Sequence, residues 1–307
     1  MRLHRIGMIG AALAGMTTLA ACGSSSSGNA TATTAAGGAA KPAITIGAFS
    51  FSESEVLAYV YADALKADGF SVNVKPSLGQ REVVEPALDS GQISMVPEYL
   101  GNYLVYLNPK VGVLTVDQTY STLQPLVAAK GLTLGAYSRA ADADAVAVTQ
   151  ANATKYGLKS ISDLSKVASG WTFGGPAECQ ARITCYAGLK QFYGLDFKGF
   201  KALDDDGPIT RSALKNGDVQ AARIFSSDAD IASDHFVVLA DPKDFQGAGN
   251  VVPVLRKAVA TPEALNVVNK VSAALTTADL VQFNTDVGTN HDDATAVASD
   301  FVKAHNL

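Results

Sequence analysis

The stretch ITIGAFSFSESE, residues 44–55, combines a short apolar strand, a loop and the start of a helix. Ser52 opens the helix, and Glu55 follows three positions later, which is the spacing of a capping box. Apolar residues then return at helical spacing until Gly69, which ends the helix. They are Val56, Leu57, Val60 and Leu65. A strand that leads directly into an amphipathic helix is the repeating unit of α/β proteins.

The same alternation continues along the chain and predicts an α/β protein with mainly parallel sheets. Further strands are predicted at 70–74, 93–96, 145–148, 171–173, 221–225 and 236–239. Further helices are predicted at 82–89, 102–107, 160–164, 188–193, 209–215 and 294–304. Two more helices near the carboxyl end are capped by Thr261, which precedes a proline, and by Thr276 or Thr277.

Two successive α/β sets predict two lobes joined by two crossing strands. We place the first crossing near 137–144 and the return near 250–255. The first lobe then comprises 43–140 plus 250–307, and the second comprises 141–249. Loops at the carboxyl ends of parallel strands face each other across the cleft between the lobes, where such sheets usually bind ligands.

The first 21 residues have the pattern of an export signal. Arg2 and Arg5 precede an apolar run at 6–19, which is shorter than the roughly 20 residues that span a bilayer. The run ends in Leu19-Ala20-Ala21-Cys22, which resembles the lipobox of bacterial lipoproteins, where the cysteine is diacylated. The alternative is an ordinary signal peptide that carries a cysteine by chance.

Residues 22–42 are rich in Gly, Ser, Ala and Thr and predict a flexible tether. Together with an acylated Cys22 they predict a globular body held at the extracytoplasmic face of the membrane. In that oxidising compartment Cys179 and Cys185, six positions apart, favour a disulfide, with a redox or metal role as the rival interpretation.

Other classes of function find little support in the sequence. A net charge of −5 argues against nucleic acid as a partner. The histidines His235, His291 and His305 are scattered among polar residues, and no metal-binding motif is present, so we expect no metal and no cofactor. We find neither a nucleophile elbow nor a phosphate-binding glycine loop, so we expect no enzymatic activity.

Four groups of motifs carry a family resemblance that covers about residues 44–307. The first group, at 46–58, resembles a motif usually written IGSKNFTEQ. The second group comprises 79–81, 87–88, 91–93 and 97–101. The third comprises 216–220 and 227–228, and the fourth is 252–256. In this order they resemble the substrate-binding proteins of ABC importers for glycine betaine, carnitine and choline, the OpuAC/ProX-like family. The resemblance implies a monomer with a two-lobed periplasmic-binding-protein fold of type II. Such a protein closes by hinge bending around a small solute and delivers it to a permease.

The family holds a trimethylammonium group in a box of tyrosines by cation–π attraction. The resemblance assigns Tyr99 to the first box position and Phe225 to the third. Val146 and Gly249 stand where two further tyrosines are expected, so the pocket should be wider on that side. Arg182 resembles the family's carboxylate-binding arginine.

The remaining candidate ligand-binding residues are Phe49, Ser52, Ser54, Asn102 and Asp144. Phe49 replaces a lysine, Ser54 a glutamine and Asn102 a threonine of the family pattern. This pocket suits a bulkier aromatic or polyhydroxylated solute as well as a betaine. Purely structural roles also remain open: Ser52 as a helix cap, Asp144 at a hinge, Tyr99 and Phe225 in the core, and Arg182 as a partner of Glu178.

Two functions of other classes are kept as alternatives. The first is an extracytoplasmic enzyme that uses Glu53, Asp144 and Asp228 as paired carboxylates. The second is a sensor or adhesion lipoprotein that has kept the fold without transport.

Overall fold

The computed structural model describes residues 41–112 and 114–307. Residues 41–307 form one compact unit. The predicted signal peptide, the lipidation site Cys22 and the tether up to residue 40 lie outside the described residues. Within the described part, no helix combines the length and apolar character that crossing a membrane requires.

Strands and helices alternate as the sequence predicts. The strands are β1 (Ile44–Gly47), β2 (Val72–Lys75), β3 (Met95–Tyr99), β4 (Leu132–Leu134), β5 (Asp144–Thr149), β6 (Thr172–Gly175), β7 (Gly199–Ala202), β8 (Ala221–Phe225), β9 (Phe236–Val238) and β10 (Val251–Arg256). The α-helices are α1 (Ser52–Ala67), α2 (Arg81–Ser90), α3 (Leu100–Leu107), α4 (Val116–Ala129), α5 (Gln150–Tyr156), α6 (Tyr186–Tyr193), α7 (Pro208–Lys215), α8 (Pro262–Ala274), α9 (Thr277–Phe283) and α10 (Ala294–His305). Short 3₁₀ segments occupy Ile161–Lys166, Ala168–Gly170 and Ala177–Gln180, and a π-helical turn occupies Asn284–Thr289.

The strands of the described residues form two five-stranded sheets, in the orders β2-β1-β3-β10-β4 and β7-β6-β8-β5-β9. In the first sheet β1 runs parallel to β2 and β3, and in the second β6 runs parallel to β7 and β8. Strands β10 and β5 are antiparallel to both of their neighbours. The prediction of mainly parallel sheets is therefore wrong, and both sheets are mixed. Each of these two strands enters its sheet directly after the chain has crossed between the lobes.

The two crossing segments lie side by side. Ala141 and Asn250 form an antiparallel bridge, and the N–H of Asp142 donates to the carbonyl oxygen of Gly249 at 2.9 Å. A Cβ atom at Gly249 would collide with the carbonyl oxygen of Asp142. Glycine is therefore required by the close approach of the two segments. The lobe boundaries at 140/141 and 249/250 stay a prediction.

The helix caps agree with the sequence near the carboxyl end but not at α1. Thr261 accepts a hydrogen bond from the N–H of Ala264, and Thr276 forms a capping box with Asp279. The capping box predicted at Ser52 is wrong, because Phe51 is the N-cap of α1 and no side chain caps the helix. The hydroxyl of Ser54 instead accepts a hydrogen bond from the N–H of Phe49 at 2.9 Å, which fixes the loop before the helix.

Strand β3 is longer than predicted, and two helices were missed. Pro97 lies opposite Pro253 in the pairing with β10, so the strand continues to Tyr99 although it contains a proline. This extension delivers Tyr99 to the end of the sheet, next to the start of α3. Helix α4, which begins after the capping box of Thr115 and Gln118, and helix α5 were not predicted. Strands β4 and β7 were not predicted either.

Candidate functional site

A small cavity lies between the two lobes at the ends of β3 and β8. We call it the inner cavity. Its volume is about 20 Å³, which leaves room for about one water molecule. Its wall comprises Phe49, Phe51, Gln80, Arg81, Tyr99, Asn102, Asp142, Arg182, Asp205, Arg223 and Phe225.

A wider cavity of about 650 Å³, the outer cavity, lies next to the inner one. Its wall comes from the loop before α1, from residues 204–211 and 225–230, and from the turn around 284–291. Phe51, Asp205 and Phe225 line both cavities. The rings of Phe51 and Phe225 are 4.8 Å apart, so this pair separates the inner cavity from the outer one.

Four of the predicted aromatic and polar residues meet in the inner cavity together with Arg182. They are Phe49, Tyr99, Asn102 and Phe225. The side-chain oxygen of Asn102 is buried and has no hydrogen-bond partner, so it is an available acceptor for a ligand. Phe49 stacks on Phe51 with ring centroids 5.8 Å apart. The predicted convergence of aromatic rings with an arginine is therefore present in the geometry of the cleft.

The other predicted residues lie elsewhere. Asp144 lines neither cavity and is paired with Arg223. Ser52 lines the outer cavity, while Ser54 is fully buried against the backbone of Phe49. Val146 packs in the core of the second lobe and does not widen the pocket. Gly249, in the crossing segment, also lies away from both cavities.

Arg182 connects the two lobes. It follows the 3₁₀ segment that begins at Ala177, inside the loop closed by the Cys179–Cys185 disulfide. Its guanidinium donates to both carboxylate oxygens of Glu82 at 3.0 and 2.8 Å. Its nearest approach to Glu178 is 3.9 Å, so Glu82 is the main partner. Glu82 is 46% exposed, and a ligand carboxylate can compete for Arg182 at the rim of the cavity.

Two buried arginines that the sequence analysis did not assign to the site lie against the aromatic rings. The guanidinium of Arg81 is 5.1 Å from the centre of the Phe49 ring, and that of Arg223 is 3.6 Å from the centre of the Phe225 ring. Both distances are within the range of cation–π attraction. A ligand ammonium group therefore meets rings that already contact cations of the protein.

Each of these arginines is neutralised by buried carboxylates. Arg81 forms a two-point ion pair with Glu98 at 2.6 and 2.9 Å. Arg223 donates to Asp144 at 2.6 Å and to Asp205 at 2.5 Å. The sequence did contain a signal for Arg223, because it is a charged residue inside the apolar run of β8.

Glu53 forms hydrogen bonds to both lobes at the base of the cleft. Its carboxylate accepts hydrogen bonds from the hydroxyls of Tyr99 and Ser227 and from the side-chain amide of Asn284. Tyr99 and Asn284 belong to the first lobe, and Ser227 follows β8 in the second. Burial raises the pKa of Glu53, and the three hydrogen bonds oppose that rise. A residue of the inner cavity, Tyr99, is thereby connected to the contact between the lobes.

We expect Glu53→Ala to lower the free energy of unfolding by about 1–3 kcal/mol, because buried donors would lose their acceptor. Glu55→Ala, two positions further along α1 on a partly exposed residue, is the matched control. Urea denaturation measures both variants. Equal losses in the two would show that Glu53 does not hold the lobes together.

The sequence profile of one family matches residues 42–304 of the chain. The family is OpuAC, described as the substrate-binding domain of the ABC-type glycine betaine transport system. The chain belongs to this family. The OpuAC assignment covers both sheets and both cavities, and it agrees with the resemblance that the sequence motifs carry. The chain is accordingly a two-lobed α/β substrate-binding protein of an ABC import system.

Two proteins with similar sequences are named for glycine betaine binding. The chain is 28% identical to the glycine-betaine-binding protein of Pseudomonas aeruginosa, across 89% of this chain and 91% of the relative. It is 26% identical to the glycine betaine-binding protein YehZ of Escherichia coli, across 86% of this chain and 91% of the relative.

A solved structure described as a glycine betaine/carnitine/choline ABC transporter has the same fold. Its TM-score is 0.69 at 23% identity, and the alignment covers 86% of this chain and 98% of the other. Like other substrate-binding proteins of ABC importers, the chain acts outside the cytoplasm, where it binds a small solute.

Proposed function

We propose that this protein is a lipid-anchored, monomeric receptor that captures a small solute of the glycine betaine or choline type and delivers it to an ABC permease. The observation that carries the proposal is the convergence of Phe49, Tyr99, Asn102, Arg182 and Phe225 on one cavity between the lobes. Family membership and the names of the relatives support the solute class. The lipobox-like run that ends at Cys22 and the Gly- and Ser-rich tether sequence after it support a lipid anchor at the extracytoplasmic face.

The proposal includes solute binding without chemical conversion. The three carboxylates of the enzyme alternative do not share one cavity: Glu53 and Asp228 line the outer cavity, while Asp144 is paired with Arg223. Glu53 is also bound by three neighbouring side chains. This arrangement favours a structural role for Glu53 and Asp144 over a role in acid–base catalysis.

Isothermal titration calorimetry of the purified protein with glycine betaine, choline and carnitine tests the proposal. We expect at least one of these solutes to bind, and to raise the melting temperature as mass action requires. Tyr99→Ala should weaken that binding at least tenfold, since it removes a ring and the partner of Glu53. Val83→Ala, at an exposed position of α2, is the control. Absence of binding by all three solutes to the wild-type protein would contradict the proposed solute class.

A second candidate is a bulkier solute in the same cleft. The observation that favours it is the outer cavity, whose volume of about 650 Å³ exceeds that of the inner cavity many times and falls in the usual range of ligand pockets. A solute of this kind would separate the Phe51 and Phe225 rings or bind beside them.

A further inference from the structure

The outer cavity is lined by carboxylates from the second lobe. The acidic residues on its wall, besides Glu53, are Asp204, Asp205, Asp206, Asp228 and Asp230. Arg211 supplies the positive charge on this wall, which also includes His291. The cavity is therefore strongly acidic before any ligand enters.

Three of these carboxylates are already bound by the protein. Asp204 accepts hydrogen bonds from the backbone N–H groups of Ile209 and Thr210, at the start of α7. Asp205 pairs with Arg223 and also accepts a hydrogen bond from Gln80 at 2.8 Å. Asp230 pairs with Arg211. In each of these three groups both carboxylate oxygens already have a hydrogen-bond or ion-pair partner.

Asp206 and Asp228 are different. One oxygen of Asp206 accepts the N–H of Phe225 at 2.6 Å, and one oxygen of Asp228 accepts the N–H of Asp230 at 2.9 Å. The other oxygen of each is buried and has no hydrogen-bond partner. The side chain of Asp228 is only 7% exposed, and Arg211 comes no closer to it than 3.5 Å. Buried polar atoms almost always have partners, so two orphan oxygens on one cavity wall require an explanation.

The charge of Asp228 also acts on the carboxyl group of Asp206. Burial, and then the charge of Asp228, raise the pKa of Asp206 well above its ordinary value. Burial likewise raises the pKa of Asp228. A cationic group that donates N–H bonds would satisfy both orphan oxygens and remove the repulsion. Among the described residues no cluster of three metal-ligating side chains could hold a metal ion, which favours an organic cation.

We propose that Asp206 and Asp228 form a second subsite of the cleft that binds an N–H-bearing cation, a guanidinium or a protonated amine, of a solute in the outer cavity. A quaternary ammonium group has no N–H and cannot satisfy these oxygens. The inference rests on the proposed function, because it uses the same interlobe cleft, and it extends the solute class beyond betaines.

Calorimetry with agmatine, L-arginine and glycine betaine tests the subsite. We expect agmatine or L-arginine to bind the wild-type protein, and Asp206→Asn and Asp228→Asn each to weaken that binding at least tenfold. Asparagine keeps a side-chain oxygen for the N–H of Phe225 or Asp230, so the fold should be preserved. Asp218→Asn, an exposed residue of the second lobe paired with Lys201, is the matched control and should change nothing.

Proton release on binding is a second measurement. It would not change if Asp206 had only a structural role. At a pH where Asp206 holds a proton, the bound cation should expel it, so the binding heat should depend on the ionisation enthalpy of the buffer. Asp206→Asn should reduce this dependence. Retained folding is checked by circular dichroism.

The outcomes separate the two proposals. Failure of agmatine and L-arginine to bind, or an equal loss in the Asp218→Asn control, overturns the subsite. Binding of glycine betaine in that case leaves the proposed function intact. Binding of the guanidinium compounds, with no binding of glycine betaine, choline or carnitine, supports the subsite and contradicts the betaine solute class.

Discussion

Arg223→Met is expected to lower the free energy of unfolding by about 3–5 kcal/mol, the usual cost of removing one partner from a buried ion pair. The guanidinium is 4% exposed and is paired with Asp144 and Asp205, whose side chains are 2% and 8% exposed. Its loss leaves two carboxylates buried without a counter-ion, and it also removes the cation from the face of Phe225. Chemical denaturation of the purified protein measures the change.

Two controls make this prediction specific. Lys201→Met breaks an exposed ion pair with Asp218 and should cost less than about 1 kcal/mol. The double variant Arg223→Met with Asp144→Asn should recover part of the loss, because one of the unpaired charges is removed. Equal destabilisation by the Lys201 and Arg223 variants would contradict the buried ion network of Arg223, Asp144 and Asp205.

Glu85→Gln is expected to stabilise the protein at alkaline pH, and the gain should grow as the pH rises. Glu85 is fully buried in α2, and neither of its carboxyl oxygens has a hydrogen-bond partner. Burial, reinforced by the charge of the neighbouring Glu98, raises the pKa of Glu85 to about 9. The folded protein therefore retains a proton on Glu85 that the unfolded chain releases.

The direction in which the stability changes with pH follows from proton linkage. The ordinary pKa of a glutamic acid is near 4.5, so between that value and about 9 the unfolded state binds fewer protons than the folded state. Glu85 thus lowers stability by up to about 1.4 kcal/mol per pH unit across this window, reaching several kcal/mol at its upper end. The penalty is absent below pH 4.5.

Denaturation of wild type and Glu85→Gln at pH 5, 7 and 8.5 measures this effect. The difference in unfolding free energy should be smallest at pH 5 and largest at pH 8.5. Glu263→Gln, at an exposed site in the first turn of α8, should show no such trend. A difference that does not vary with pH would mean that Glu85 titrates normally.

Much of the fold could be predicted from the sequence, because each lobe is built from strand–helix units with clear periodicity. The strand at Ile44–Gly47, the helix ends near Asn216 and the caps at Thr261 and Thr276 all depend on local patterns, and the structure has them. The direction of β5 and β10 could not be obtained in this way. It depends on the crossing between lobes, which is a long-range feature.

The candidate site was predicted in part, by resemblance more than by pattern. Tyr99 and Phe225 lie at strand ends, where α/β proteins place ligand-binding side chains, and both line the inner cavity. The roles of Arg81 and Arg223 were missed, because only tertiary packing shows which ring a guanidinium covers. Gly249 was interpreted as a lost tyrosine, whereas the structure explains it by the close approach of Asp142.

The central claim is that both lobes close around a solute in the cleft. Amide hydrogen exchange of the purified protein with and without saturating glycine betaine tests it directly. The claim predicts increased protection at 49–53 and 98–102 in the first lobe together with 223–228 in the second. Protection confined to one lobe, or no change in either, would contradict it.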